Sequence, residues 1–251
     1  MGVMKRLEKT TLQLRAVSVL RRLKSRRTYD ELADVTGLSA SDLNRYVNGH
    51  VLPGVERARE IVDDLGRETL AAEIESRIDR DEEGYVDNTA VVFDQSLLDL
   101  VAGVAAETFE LERPDVVLTA ATDGITIAGA MARHFDVPVA YAKKSRETGV
   151  SEFVEARQRL TPGIEITYSL PASALEDGDD VLLVDDFVRS GNTQALLLEL
   201  ADRAGATVSG VFTLIAVGED GLASVRQSTD APVVAFTTLS DAGEPEGYPR
   251  T

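Results

Sequence analysis

Apolar residues at Leu12, Ala16, Val19, Leu20 and Leu23 recur at helical spacing, and the pattern predicts helices with short polar turns through residues 1–50. A second helical pattern, charged on its outer face, covers 55–79. The stretch DRDEEGYVDN (79–88) is a polar break with a glycine and few apolar residues, which places a domain boundary there. Beyond it Leu97, Leu98, Val101, Val104, Ala105 and Thr108 make one more helix face. DVVLTA (115–120) then reads as a buried strand, ATDG as a loop, 125–135 as a helix and VPVAYA (137–142) as a second strand. Residues 143–163 are charged and weakly periodic, which predicts a mobile loop, and IEITYSLP (164–171) reads as a partly exposed strand. DVLLVDD (180–186) is a continuous apolar strand, followed by a helix from Thr193 to about Ala204; ATVSGVFTLIAVG (206–218) and APVVAF (231–236) complete the sheet. Strands alternating with helices imply parallel strands in a doubly wound sheet. The expected fold class is α/β: an all-helical head over 1–80, then a doubly wound, mainly parallel sheet over 81–251.

Charge sharpens this division. The 251 residues carry a net charge of −17, yet residues 1–60 hold 12 Lys and Arg against 7 Asp and Glu, while 61–251 hold 14 against 36. A basic end on an acidic body suggests a polyanion partner for that end, or a helix with a solvated basic face. The acidic body, with five lysines in the chain, also fits a protein working in concentrated salt. With no cysteine and two histidines, disulfides, thiolate sites and histidine-rich metal sites are excluded. No apolar run is long enough for a membrane span and the start lacks a secretory signal, so a cytoplasmic location without a membrane partner is expected.

In the basic end, YDELADVTGLSASDLNRYVNG (29–49) suits a helix-turn-helix. Ala33 is the small residue at the crossing, Gly37 the turn residue tolerant of positive φ, and Leu43 the apolar residue of the second helix. Leu32, Val35, Leu38 and Val47 extend the seam, and Ser39 caps the second helix with Asp42 three residues on. That helix would project Ser41, Asn44, Arg45 and Asn48 toward base edges, while Arg21, Arg22, Lys24, Arg26 and Arg27 hold phosphates. An ordinary helical hairpin with a glycine turn fits the same spacing.

The acidic body centres on VLLVDDFVRSGNT (181–193). An apolar strand ending in Asp185 and Asp186 places two carboxylates where ligands bind in parallel sheets. They can accept hydrogen bonds from a ribose diol or hold a magnesium ion. The next loop, with Arg189, Ser190, Gly191, Asn192 and Thr193, opens a helix whose N–H groups would meet a phosphate. A plain strand-to-helix turn capped by Thr193 is the alternative.

This run resembles the signature of the type I phosphoribosyltransferase family, and the resemblance extends over about 85–240. LTAATDGITIA looks like the family's pyrophosphate loop, with Ala121, Thr122, Asp123 and Gly124 at the bend. In VPVAYAKKSRETG, Lys143 and Lys144 match the region that meets the pyrophosphate. Departures from the pattern point away from catalysis: Arg189 stands where many of the enzymes carry Thr or Asp, a permanent cation cannot serve as a general base, and Asn192 replaces a common Gly. Acids, Phe and then a basic residue look like the purine-operon repressor of Gram-positive bacteria, which also puts a DNA-binding head first. The overall layout is similar to haloarchaeal regulators of glucose and fructose catabolism, once labelled orotate phosphoribosyltransferase-like.

The resemblance therefore implies a non-catalytic transcription regulator of sugar catabolism genes. It would act as a homodimer or higher even oligomer on double-stranded promoter DNA, under control of phosphoribosyl pyrophosphate or a small phosphorylated sugar. No cofactor would be required, though Mg2+ could accompany the phosphorylated ligand. The competing expectations are an active orotate or purine phosphoribosyltransferase with a helical extension, and a phosphate-binding module whose head only dimerises.

Overall fold

The computed structural model describes residues 6–82, 85–161 and 164–240. In chain order its main elements are α1 (Arg6–Lys24), α2 (Tyr29–Thr36), α3 (Ala40–Val47), α4 (Val55–Glu60), a π-helical stretch (Ile61–Gly66), α5 (Arg67–Glu75), β1 (Asp79–Arg80), β2 (Val86–Asp87), α6 (Thr89–Val92) and α7 (Gln95–Thr108). They continue with β3 (Val116–Ala120), α8 (Gly124–Phe135), β4 (Val139–Ala142), β5 (Phe153–Thr161), β6 (Ile164–Pro171), β7 (Asp180–Val188), α9 (Asn192–Arg203), β8 (Thr207–Val217), α10 (Asp220–Ser228) and β9 (Val233–Leu239). Two compact units emerge: Met1–Glu73 with Leu100–Leu111, and Ile74–Asp99 with Glu112–Thr251.

In the helical unit, α1 buries Leu12, Ala16, Val17, Val19, Leu20 and Leu23, the stripe its spacing predicts. Thr28 opens α2 with a capping box: its hydroxyl accepts from the Glu31 N–H, and the Glu31 carboxylate accepts from the Thr28 N–H. Gly37 ends α2 in the left-handed region at φ 65°, its N–H donating to the Ala33 carbonyl, which is the turn the glycine predicts. Ser39 then caps α3, its hydroxyl accepting from the Asp42 N–H at 3.0 Å and donating to the Asp42 carboxylate at 2.8 Å. Leu32 and Leu43 are fully buried between the helices. Val35, expected in that seam, is 47% exposed, one residue before the end of the short α2.

The other unit is built on a five-stranded parallel sheet in the order β4-β3-β7-β8-β9. All five residues of β3 are buried, and so are Val181 to Asp186 of β7. Covered strands of this kind read as unbroken apolar runs, which is why the sequence shows them plainly. The order reverses between β3 and β7. That switch point opens a crevice beyond the carboxyl ends of these strands.

Two stretches differ from expectation. Residues 143–163 do not form a loop throughout: Phe153–Thr161 is strand β5, paired antiparallel with β6 from Phe153 opposite Pro171 onward. Its charges hid the strand, because Glu155 and Arg157 alternate with Val154 and the buried Ala156. β6 is partly exposed, as expected: Glu165 is exposed and Ile166 and Thr167 half-buried, while Tyr168, Ser169 and Leu170 are buried. The polar break 79–88 holds a short antiparallel pair, β1 with β2; Glu83 and Gly84 within it lie outside the described residues. Among the described residues no helix is long and apolar enough to cross a membrane.

Candidate functional site

The crevice at the switch point is floored by Asp185 and Asp186, 7% and 8% exposed at the end of β7. Buried carboxylates need donors, and neutral amides supply them. The Asp185 Oδ1 accepts the Asp186 N–H at 3.1 Å and its Oδ2 accepts the Gln194 Nε2 at 2.7 Å. The Asp186 Oδ2 accepts the Asn88 Nδ2 at 2.6 Å. Burial, and then the charge of Asp186, pushes Asp185 well above the ordinary carboxylate value. Burial also raises Asp186, against the opposing pull of the Asn88 bond.

Two loops flank the pair. Ala121 to Gly124 follows β3, with a cis peptide between Ala121 and Thr122, and Thr122 and Asp123 are exposed. Gly124 is required there, since a Cβ on it would stand 2.7 Å from the Asp185 Oδ1. On the other side, β7 runs two residues past the acids, so the turn is confined to Arg189, Ser190 and Gly191. Gly191, at φ 80°, precedes α9 with no side-chain cap; the capping by Thr193 that the alternative of a plain turn required does not occur, because α9 begins one residue earlier at Asn192. Thr193 instead hydrogen-bonds the Tyr168 side chain from β6. Behind the turn lies α10, so close that a Cβ on Gly221 would be 2.6 Å from the Arg189 carbonyl carbon.

The twin lysines part company. Lys143 Nζ pairs with Glu147 and sits over the Tyr141 ring, while Lys144 Nζ lies 5.7 Å from the Tyr168 ring centre. Lys144 is therefore the lysine beside Tyr168. Nearby, Arg146 and Ser169 both bond Glu155 and hold it down to about 2.

Among the described residues no cluster of three acids or histidines offers a metal cage. A magnesium ion suits this crevice only as it usually binds nucleotides and diphosphates, through phosphate oxygens and water with few protein ligands.

In the helical unit, Ser41, Asn44, Arg45 and Asn48 are exposed along α3 and its end. Arg45 lies 4.0 Å from Asp42, and Asn48 folds back, donating to the Asn44 carbonyl and to its side-chain oxygen. The basic cluster is partly spent inside the unit. Arg21 Nε donates to the Val47 carbonyl at 2.7 Å. Arg22 grips Glu73 with two bonds of 2.6 Å, and Arg26 lies 3.3 Å from the same carboxylate, which is buried to 3% exposure. Arg22, Arg26 and Arg27 line a cavity of about 130 Å3 against α5.

Reasoning from sequence overlooked Asn88, Gln194, Tyr168 and Gly221. Of these, only Gln194 carried a signal: a polar residue adjoining Thr193 on a helix whose other buried positions are leucines and an alanine.

Comparison with known proteins agrees with this architecture. The phosphoribosyl transferase domain matches residues 88–239. A xanthine phosphoribosyltransferase of Bifidobacterium adolescentis is 35% identical over 131 residues, covering 51% of this chain and 68% of that protein. The purine biosynthesis transcriptional repressor PurR of Bacillus subtilis is 32% identical over 133 residues, but only 47% of its length is covered, against 53% of this chain. The crystal structure of adenine phosphoribosyltransferase from Rhodothermus marinus superposes with a TM-score of 0.60 at 24% identity, over 68% of this chain and 99% of that one, which speaks to the fold alone. The xanthine enzymes overturn the expectation of a non-catalytic domain. The error lay in weighing one loop cation too heavily: Arg189 sits past the end of β7 and removes nothing from the buried acid pair. The α/β crevice, its two loops and the match over 88–239 lead to one statement: the chain belongs to the phosphoribosyl transferase domain family.

Proposed function

We propose that the chain transfers a phosphoribosyl group from phosphoribosyl pyrophosphate to a purine-type base, with xanthine the first base to try. The observation that carries this reading is the buried acid pair at the switch point, with a phosphate-sized turn on each side. In it, the acid pair receives the ribose hydroxyls. The N–H groups of Arg189 to Thr193 and the start of α9 take the 5-phosphate. Ala121 to Gly124 and Lys144 take the pyrophosphate. The bond from the anomeric carbon to pyrophosphate breaks as a bond to a base nitrogen forms, and the base gives up that nitrogen's proton. Positive charge develops on the sugar in between, and negative charge carried by the acid pair favours that state. Mg2+ bound through the diphosphate oxygens and water would offset the charge of the leaving group. Arg189, a fixed cation, suits an anionic or oxygen-rich base better than an amino-substituted one.

The test is a pyrophosphate-release assay with Mg2+, phosphoribosyl pyrophosphate and, in turn, xanthine, guanine, hypoxanthine, adenine and orotate. Release with an oxopurine, with at least a hundredfold loss in Asp186→Asn, is the expected result. Release with none of the five bases sinks the proposal.

A second reading concerns the helical unit alone. Exposed Ser41, Asn44 and Arg45 on a helix capped by Ser39 suit a major groove, and PurR is named a transcriptional repressor. In this reading the chain binds promoter DNA as a dimer, and phosphoribosyl pyrophosphate reports to the head. Control of sugar catabolism rests on the resemblance alone, whereas the names of the relatives speak of purines. Fluorescence anisotropy decides it: equal affinity for promoter fragments flanking the chain's own gene and for random duplexes, at working salt, ends the reading.

A further inference from the structure

Gln194 is a fully polar side chain at 2% exposure. Burying an amide without partners costs about 1–3 kcal/mol, so its place needs a reason. Its Nε2 donates to the Asp185 Oδ2 at 2.7 Å and approaches the Phe187 carbonyl at 3.4 Å. One amide thus ties the first acid to the backbone just past the second. The other oxygen of Asp185 takes the Asp186 N–H and faces Gly124, where no Cβ fits. Asp185 is therefore enclosed by protein at both oxygens. Asp186 is held through one oxygen by the Asn88 amide at 2.6 Å. The arrangement divides the labour of the pair between an anchor and a presented group.

We infer that Gln194 is a positioning residue: it pins Asp185 as a buried anchor and so sets the Asp186 carboxylate for the sugar hydroxyls of a phosphoribosyl ligand. This rests on the phosphoribosyl reading of the site. A purely structural amide would affect every ligand of the crevice alike. A positioning role affects only ligands that carry the sugar. Inorganic pyrophosphate, which lacks it, is the internal control.

The experiment is calorimetric titration of the full chain, in Mg2+, with ribose 5-phosphate, phosphoribosyl pyrophosphate and inorganic pyrophosphate. Two variants are compared with wild type: Gln194→Met, which fills the same space without a donor, and Gln194→Glu, which keeps the shape but presents an acceptor to Asp185. Both should weaken ribose 5-phosphate and phosphoribosyl pyrophosphate by about five- to twentyfold, or about 1–2 kcal/mol at 1.4 kcal/mol per tenfold, and leave pyrophosphate within twofold. Adding Asp186→Asn to Gln194→Met should cost less than Asp186→Asn alone, since the displaced carboxylate has less to lose. Unchanged sugar binding in whichever variant folds, or equal weakening of pyrophosphate, overturns the inference while the phosphoribosyl reading stands. Wild-type protein that binds none of the three ligands overturns both.

Discussion

Replacing Asp185 with Asn should stabilise the protein while disabling it. Asp185 is enclosed beside a second carboxyl, with Asp123 adding a further unfavourable charge. Removing a carboxylate from water costs several kcal/mol, and two hydrogen bonds to it return about 1.5–3 kcal/mol each. The upward displacement of Asp185 says that the cost exceeds the return. An asparagine keeps the shape, removes the buried charge and can accept from Gln194, although its amide nitrogen then stands where Oδ1 accepts the Asp186 N–H, which offsets part of the gain. The net gain at pH 8 should be about 1–3 kcal/mol, which at ~2–4 °C per kcal/mol raises Tm by roughly 2–12 °C. A carboxyl that holds its proton more tightly folded than unfolded stabilises fully below its ordinary value of 3.8 and loses that contribution as pH rises through the raised value. The gap between variant and wild type should therefore be widest at pH 8 and close as pH falls toward 4. Differential scanning calorimetry from pH 8 to 4.5 reads it, alongside pyrophosphate release, which should drop at least tenfold. A variant melting at or below wild type at pH 8, or a gap that ignores pH, would refute the electrostatic account of the pair.

Arg22→Ala removes the two-bond partner of the buried Glu73 and should cost about 3–5 kcal/mol; loss of helical circular dichroism on mild heating reports it, and an unchanged melt contradicts the pairing. Gly221→Ala pushes a Cβ into the Arg189 carbonyl, so the turn must shift: the KM for phosphoribosyl pyrophosphate should rise about tenfold, at a stability cost of about 1–3 kcal/mol, and a wild-type KM would show the turn to be indifferent to α10. Arg45→Ala should relax preference at one base position by about 1–3 kcal/mol, while Arg27→Ala should weaken all DNA equally and flatten the salt dependence; the reverse pattern would reassign both.

The sequence by itself determined the elements whose chemistry is local. The buried strands β3 and β7 needed no partner to be recognised, because strands covered on both faces must be apolar throughout. The turn at Gly37 followed from one residue that tolerates positive φ, and the acid pair followed from two charges ending an apolar run. The tertiary structure decided whatever depends on residues far apart in the chain. Asn88 reaches Asp186 across 98 positions, and Arg22 reaches Glu73 across 51, so neither partnership leaves a local trace. Strand β5 was hidden because its alternation is written in charged residues, with Glu155 paired to Arg146 and Arg157, whereas β6 was legible. The meaning of Arg189 was decided the same way. A guanidinium next to an acid pair in sequence says nothing about where β7 ends, and that end depends on register with β8, whose pairing carries the strand through Val188 before the chain turns. Local propensity sets which residues can form a strand; only the partner strand sets how far it runs.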